Sequence, residues 1–186
     1  MKKLSVRPKN WLLSAHVISG GLWLGTVFSL VAIAIVKRDM ANGDELYAIN
    51  SVLKFMDDWV VIPTAVLSLI TGGLLSWLTI WGFTKHYWVI VKWVATVTLI
   101  VTGTSWLGPW LNAMTAISEA ERLQALQNPL YVFDQRGVMI GGAIQAACLL
   151  AVVAISVLKP WGRRMAKPSA KLEASGVSTM ESGEPQ

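Results

Sequence analysis

Four long stretches of this chain carry almost no charge, and that limits what it can fold into more than any other feature. No charged residue lies between Trp11 and Val36 or between Trp59 and Thr84. Tyr87 to Trp110 contains only Lys92, and Gly137 to Leu158 contains none. Each stretch has the roughly 20 residues needed to cross a hydrocarbon core of about 30 Å. A water-soluble helix shows one apolar stripe and one polar face, whereas these segments are apolar all round. Only 15% of the chain is charged, below the roughly 25% of ordinary soluble domains. The expected fold is all-α, a four-helix transmembrane bundle, with spans at about 11–36, 59–82, 87–110 and 137–158. A basic tail, 1–10, precedes the bundle, and a basic tail, 159–186, follows it. The second tail is Ser-, Gly-, Glu- and Pro-rich from about Pro168 and is expected to be largely disordered.

The first span imitates a secretory signal, with Lys2-Lys3 before it and Ala32-Ile33-Ala34 near its end. Its apolar run is 26 residues, far longer than a signal core of about 7–15, so it reads as a retained helix. Tryptophans mark the span ends: Trp11, Trp59 and Trp81, Trp88 and Trp110, and Trp161 after the last. Indole prefers the headgroup level, which makes this an aromatic belt. The two tails and the short second connection hold ten Lys and Arg, and the first and third connections hold five. The positive-inside rule therefore predicts an N-in/C-in topology. The net charge of +5 suits anionic lipid headgroups at the helix ends, not nucleic acid.

The outer connections are long enough to carry structure. Residues 44–58 read as helical and able to run into the second span. Ser118-Glu119-Ala120-Glu121 has the form of a capping box, predicting a short surface helix that ends before Pro129. Small residues recur every four positions at Gly21 and Gly25, at Gly137 and Gly141, and at Ser68, Gly72 and Ser76. Such stripes let helix backbones approach closely in lipid, within one chain or between chains. Cys148 is the single cysteine and reads as a small apolar filler.

Two polar residues lie at membrane depth. His16 is five residues past Trp11, and Lys92 is five past Tyr87. Both helices enter from the same side, so each sits on the order of 7 Å in. Lys92 can snorkel to the headgroups, and His16 can serve as a structural hydrogen-bonder. The matched depth also permits a shared pocket. Gly20 lies on the face of His16 at i+4 and would leave room for a flat ligand. Imidazole is a usual axial ligand of haem iron, which makes His16 the candidate metal ligand. His86 reads as an interfacial loop residue. Gln145 is expected to bond a neighbouring helix. Asp57, Asp58, Asp134 and Arg136 read as solvated charges at the outer span ends, with a pairing network as the alternative.

His16-Val17-Ile18-Ser19-Gly20-Gly21-Leu22-Trp23-Leu24-Gly25 resembles the opening helix of the predicted bacterial integral membrane proteins grouped as domain of unknown function 2269. Trp88-Val89-Ile90-Val91-Lys92 resembles the start of their third helix. This likeness covers about residues 10–160. The same two helices are similar to those of HemJ-type protoporphyrinogen oxidases, small haem-binding membrane proteins, and of copper-resistance D proteins. The HemJ-type resemblance implies a haem site on His16 and Lys92. It does not extend to that family's further histidines, where this chain reads Val36-Lys37-Arg38 and Thr102-Gly103-Thr104-Ser105. The expectation is therefore a multi-pass protein of the bacterial cell membrane holding a b-type haem between the first and third spans. The alternatives are a cofactor-free accessory or transport-associated subunit, working as a homo-oligomer or with a partner membrane protein, and a protoporphyrinogen-oxidase-like enzyme.

Overall fold

The computed structural model describes residues 5–37, 41–78 and 86–160, and its described residues are helical almost throughout. Helix α1 is Val6–Val36. Helices α2 (Gly43–Met56) and α3 (Ile62–Leu78) form one continuous rod through a wider turn at Asp57–Val61. Helices α4 (Tyr87–Thr102) and α5 (Gly108–Glu121) are joined in the same way through Gly103–Leu107. A 3₁₀ segment, Arg122–Gln127, then leads into α6 (Pro129–Leu158). All four passes are long and apolar enough to cross a membrane. Between 11% and 22% of the most apolar window of each is buried inside the protein. Most of their apolar side chains therefore face outward, which is stable only against lipid. The expected end of the second span at 82 and the connection holding Lys85 lie outside the described residues, as does the tail beyond 160.

In each wide turn an amide donates to the carbonyl five residues back, Ile62 to Asp57 and Gly108 to Gly103. Each turn is followed at the second residue by a proline, Pro63 or Pro109. Proline has no N–H and its ring clashes with the carbonyl four residues back. A π turn widens the backbone there and keeps the rod continuous. The rod 43–78 has 36 residues, on the order of 54 Å at 1.5 Å per residue, so it extends well past a hydrocarbon core.

The bundle proper is held by a core of Trp23, Val27, Val61, Ala65, Leu99, Ala146 and Leu149. Helix α1 packs on α3 and α6, and α6 on α4, while α3 and α4 touch only sparsely. At the end opposite the termini, α2, α5, the 3₁₀ segment and the start of α6 build a second core around Leu46, Met114, Ala125 and Tyr131. The short surface helix expected before Pro129 forms as the 3₁₀ segment Arg122–Gln127, largely exposed, but Ser118 does not open it with a capping box. Helix α5 runs on to Glu121, and Ser118 is fully buried inside it. Its hydroxyl donates to Thr115 O and accepts from Asn50 Nδ2.

Gly21 and Gly25, expected to be packing glycines, instead face open space, with no atom within 4 Å of where a Cβ would sit. The lipid-facing side of α1 tolerates them because the contacts to α3 and α6 are made by other faces. Gly137 does pack closely: a Cβ there would lie 2.7 Å from the Trp110 ring.

Candidate functional site

Because α3 and α4 meet loosely, a cavity of about 340 Å³ opens between them and α1 near the end carrying the termini. That volume falls in the range of small-molecule and cofactor sites. His16 and Lys92 both line it, as the shared depth of the two residues predicts. The walls are mostly apolar, with Leu13, Leu69, Trp88 and Trp93 among them. The charged lining comes from Lys9, Lys92 and Lys159, and no acidic residue lines it among the described residues. The cavity therefore selects for an anionic group at one end of an apolar body.

His16 is held in one orientation. Its Nδ1 lies 3.1 Å from the carbonyl oxygen of Ser68 and 3.1 Å from Thr71 Oγ1. The Thr71 hydroxyl itself donates to Leu67 O at 2.7 Å. A carbonyl can only accept, so the Ser68 contact favours the tautomer with the proton on Nδ1 and the lone pair on Nε2. Nε2 has no hydrogen-bond partner among the described residues. A ring N–H donated to a backbone carbonyl is the usual support of a metal-ligating histidine.

The glycine that makes room for this ring is Gly72, not Gly20. A Cβ on Gly72 would lie 3.1 Å from His16 Cε1, so a larger residue there would press on the imidazole. Gly20 does not line the cavity. It approaches Ser68 Oγ instead, at 3.6 Å from where its Cβ would be. Sequence reasoning missed that Ser68, Gly72 and Ser76 all line the cavity. Their four-residue spacing was the available signal, and it reads equally well as packing. Lys92 Nζ donates to Ser156 Oγ at 3.0 Å, tying α4 to α6. Trp93 Nε1 donates to Ser76 Oγ at 3.4 Å, a link across the α3–α4 seam. Lys159 ends α6 in a left-handed conformation, with its ammonium 5.9 Å from the Trp88 ring. His86 begins α4 and lines no part of the cavity.

The outer acidic residues are not simply solvated. Asp58 pairs with Lys54 at 2.6 Å. Asp134 is buried, and its Oδ2 has no hydrogen-bond partner among the described residues. Asp57 and Gln145 line a second, smaller cavity between the π turns. Gln145 makes no hydrogen bond to a neighbouring helix among the described residues. No group of three or more His, Cys, Asp or Glu that could hold a metal ion occurs among the described residues. In comparisons with known proteins, no family model, curated protein or solved structure matches this chain.

Proposed function

We propose that the larger cavity binds a carboxylate-bearing planar cofactor, a b-type haem or related tetrapyrrole, in the cytoplasmic leaflet of a bacterial cell membrane. The observation that carries this reading is the 3.1 Å contact of His16 Nδ1 with the Ser68 carbonyl oxygen at the edge of the lysine-lined cavity. Donation from Nδ1 to Ser68 O would leave the Nε2 lone pair free, the state a metal-ligating histidine needs. The residues present fit the group. His16 would ligate the iron, Gly72 clears space for the ring, and Lys92, with Lys9 and Lys159, would pair propionates. Such a group supplies one-electron or small-ligand chemistry at its iron. The chain's own residues hold, orient and desolvate it. Snorkelling explains Lys92 on its own, but it does not explain why three lysines and the histidine line one apolar cavity. The N-in/C-in topology and the likeness to the membrane family of domain of unknown function 2269 belong to the same proposal. Since His16 is the only histidine lining the cavity among the described residues, an oxidase reaction is not part of it.

The test is the absorption spectrum of protein purified from haem-replete cells, with a haemochrome assay. A Soret band is expected. His16→Ala should abolish it while leaving folded yield measurable. Lys92→Ala should weaken haem retention by about tenfold, the loss of a charge-assisted hydrogen bond worth roughly 1.5 kcal/mol, and Lys92→Arg should recover part of it. Colourless, well-folded wild-type protein would refute the reading and return both residues to structural roles in a cofactor-free accessory subunit.

A further inference from the structure

Helix α1 packs on α3 and α6, and α6 on α4, which sets the passes in the order α1, α3, α4, α6 around the bundle. The larger cavity sits on the remaining side, where α3 and α4 meet sparsely among the described residues. Ten of its fifteen lining residues come from those two helices. Polar contacts tie three sides of the bundle at this level. His16 Nδ1 lies 3.1 Å from Ser68 O across α1 and α3. Lys92 Nζ donates to Ser156 Oγ at 3.0 Å across α4 and α6. The tie across α3 and α4, from Trp93 Nε1 to Ser76 Oγ, is the longest of these at 3.4 Å. A neutral N–H···O contact of that length is weak. The same indole lies over Gly73, where a Cβ would come within 3.3 Å of Trp93 Cη2. Gly73 and Ser76 are three apart and share a face of α3, so the ring rests on small residues.

The cavity is also graded in depth as a membrane leaflet is. Lys9 and Lys159 stand at the helix ends beside the termini, at headgroup level, and Lys92 can reach up to them. Leu69 and Thr96 line the cavity nine residues inside the ends of α3 and α4, on the order of 13 Å deeper. An anionic amphiphile dissolved in that leaflet holds its charged end and its apolar body at these same two depths. It can slide sideways between α3 and α4 with neither end changing its surroundings. Arrival from water would first expose the apolar body to solvent, at a cost proportional to its area. We propose that the α3–α4 seam is a lateral portal with Trp93 as its latch, and that the cavity takes an anionic amphiphile from the leaflet beside the termini. This deepens the reading of the cavity as a site for a carboxylate-bearing planar ligand, and rests on that reading only for what enters.

The test follows access, not colour. The full chain carrying Cys148→Ala is placed in lipid nanodiscs, which leave both membrane faces open to water. Thr96→Cys puts a reporter thiol in the cavity wall, Val94→Cys one on the lipid-exposed face of α4, and Ser5→Cys one in water. Each is treated with a lipid-dissolved pyrene maleimide and with a sulfonated, membrane-excluded maleimide. Scaled to Val94→Cys for the first reagent and Ser5→Cys for the second, Thr96→Cys should react faster from lipid. Trp93→Ala should speed that reaction by about three- to tenfold, the scale of one lost hydrogen bond, and leave the water-borne rate unchanged. If Trp93→Ala does not fold, Trp93→Phe removes the N–H alone and should speed it about twofold. Faster scaled labelling from water would overturn the proposal, as would a lipid-borne rate that no Trp93 variant changes. Thr96→Cys silent to both reagents while Val94→Cys reacts would overturn it as well. Colourless protein that still labels from lipid, with the Trp93 response, would refute the haem reading and leave the portal standing.

Discussion

Lys37 is a charged residue just past the end of α1, where the sequence reads it as part of an outer loop. It is 1% exposed. Its ammonium donates to Asn50 Oδ1 at 2.6 Å and lies 5.7 Å from the Tyr131 ring. Asn50 in turn donates to Ser118 Oγ at 3.0 Å and Tyr131 Oη at 3.1 Å. One amide thus joins α1, α2, α5 and α6. Burial lowers the Lys37 pKa from 10.5 to about 8. Below pH 8 both folded and unfolded chains hold this proton, and the cost of burying the charge is fully present. Between about 8 and 10.5 the unfolded chain still holds the proton and the folded chain has released it, so raising the pH favours the folded form. The gain should approach about 3 kcal/mol, at 1.36 kcal/mol per pKa unit. Chemical unfolding across that range should show the rise in wild type and none in Lys37→Met. A flat wild-type profile would mean that Lys37 stays charged and solvated.

The helices divide into contacts that need glycine and stripes that do not. A Cβ on Gly43 would lie 2.6 Å from the backbone nitrogen of Leu123. That is where α2 begins against the turn after α5, at Arg122 with its φ of 53°. A backbone neighbour cannot rotate away, so Gly43→Ala should cost about 1–3 kcal/mol, the range for overpacking. Gly137→Leu should likewise lower folded yield, because the Trp110 ring fills the space. Gly21→Leu and Gly25→Leu should leave yield and melting unchanged, since nothing lies within 4 Å of either position. Size-exclusion profiles and thermal melts of the four variants would check this division. Loss of fold in Gly21→Leu or Gly25→Leu would indicate that a second chain covers that face of α1.

At the scale of the whole molecule, the protein is a membrane bundle with a folded cap at the end opposite the termini. The cap has its own apolar core and its own buried polar network. From the charge count we propose that this cap lies outside the cell. In a Cys148→Ala background, cysteines replacing the exposed Glu45 or Gln124 should react with an impermeant thiol reagent on intact cells, and one replacing the exposed Ser5 should not. The opposite labelling pattern would invert the bundle and place the lysine-lined cavity in the outer leaflet.

Much of this architecture is determined by the sequence alone. Four segments of about 20 residues or more, carrying a single charge among them, have few stable solutions other than spanning helices. The depth of His16 and Lys92 follows from counting residues along rods of known rise, and so does their meeting in one layer. Tertiary structure decided everything that depends on azimuth. A four-residue stripe places its members on one side of a helix, but a helix apolar all round carries no signal for which side meets a neighbour. For that reason Gly21 and Gly25 read the same as Gly72, although only Gly72 meets His16. For the same reason Gly20 shares the face of His16 at i+4 yet does not line the cavity. The fate of the charges near the outer ends was equally hidden. Lys37, Asp57 and Asp134 look solvated in a loop-by-loop reading, yet Lys37 and Asp134 are buried and Asp57 lines a cavity, because α2, α5 and the start of α6 pack together at that end.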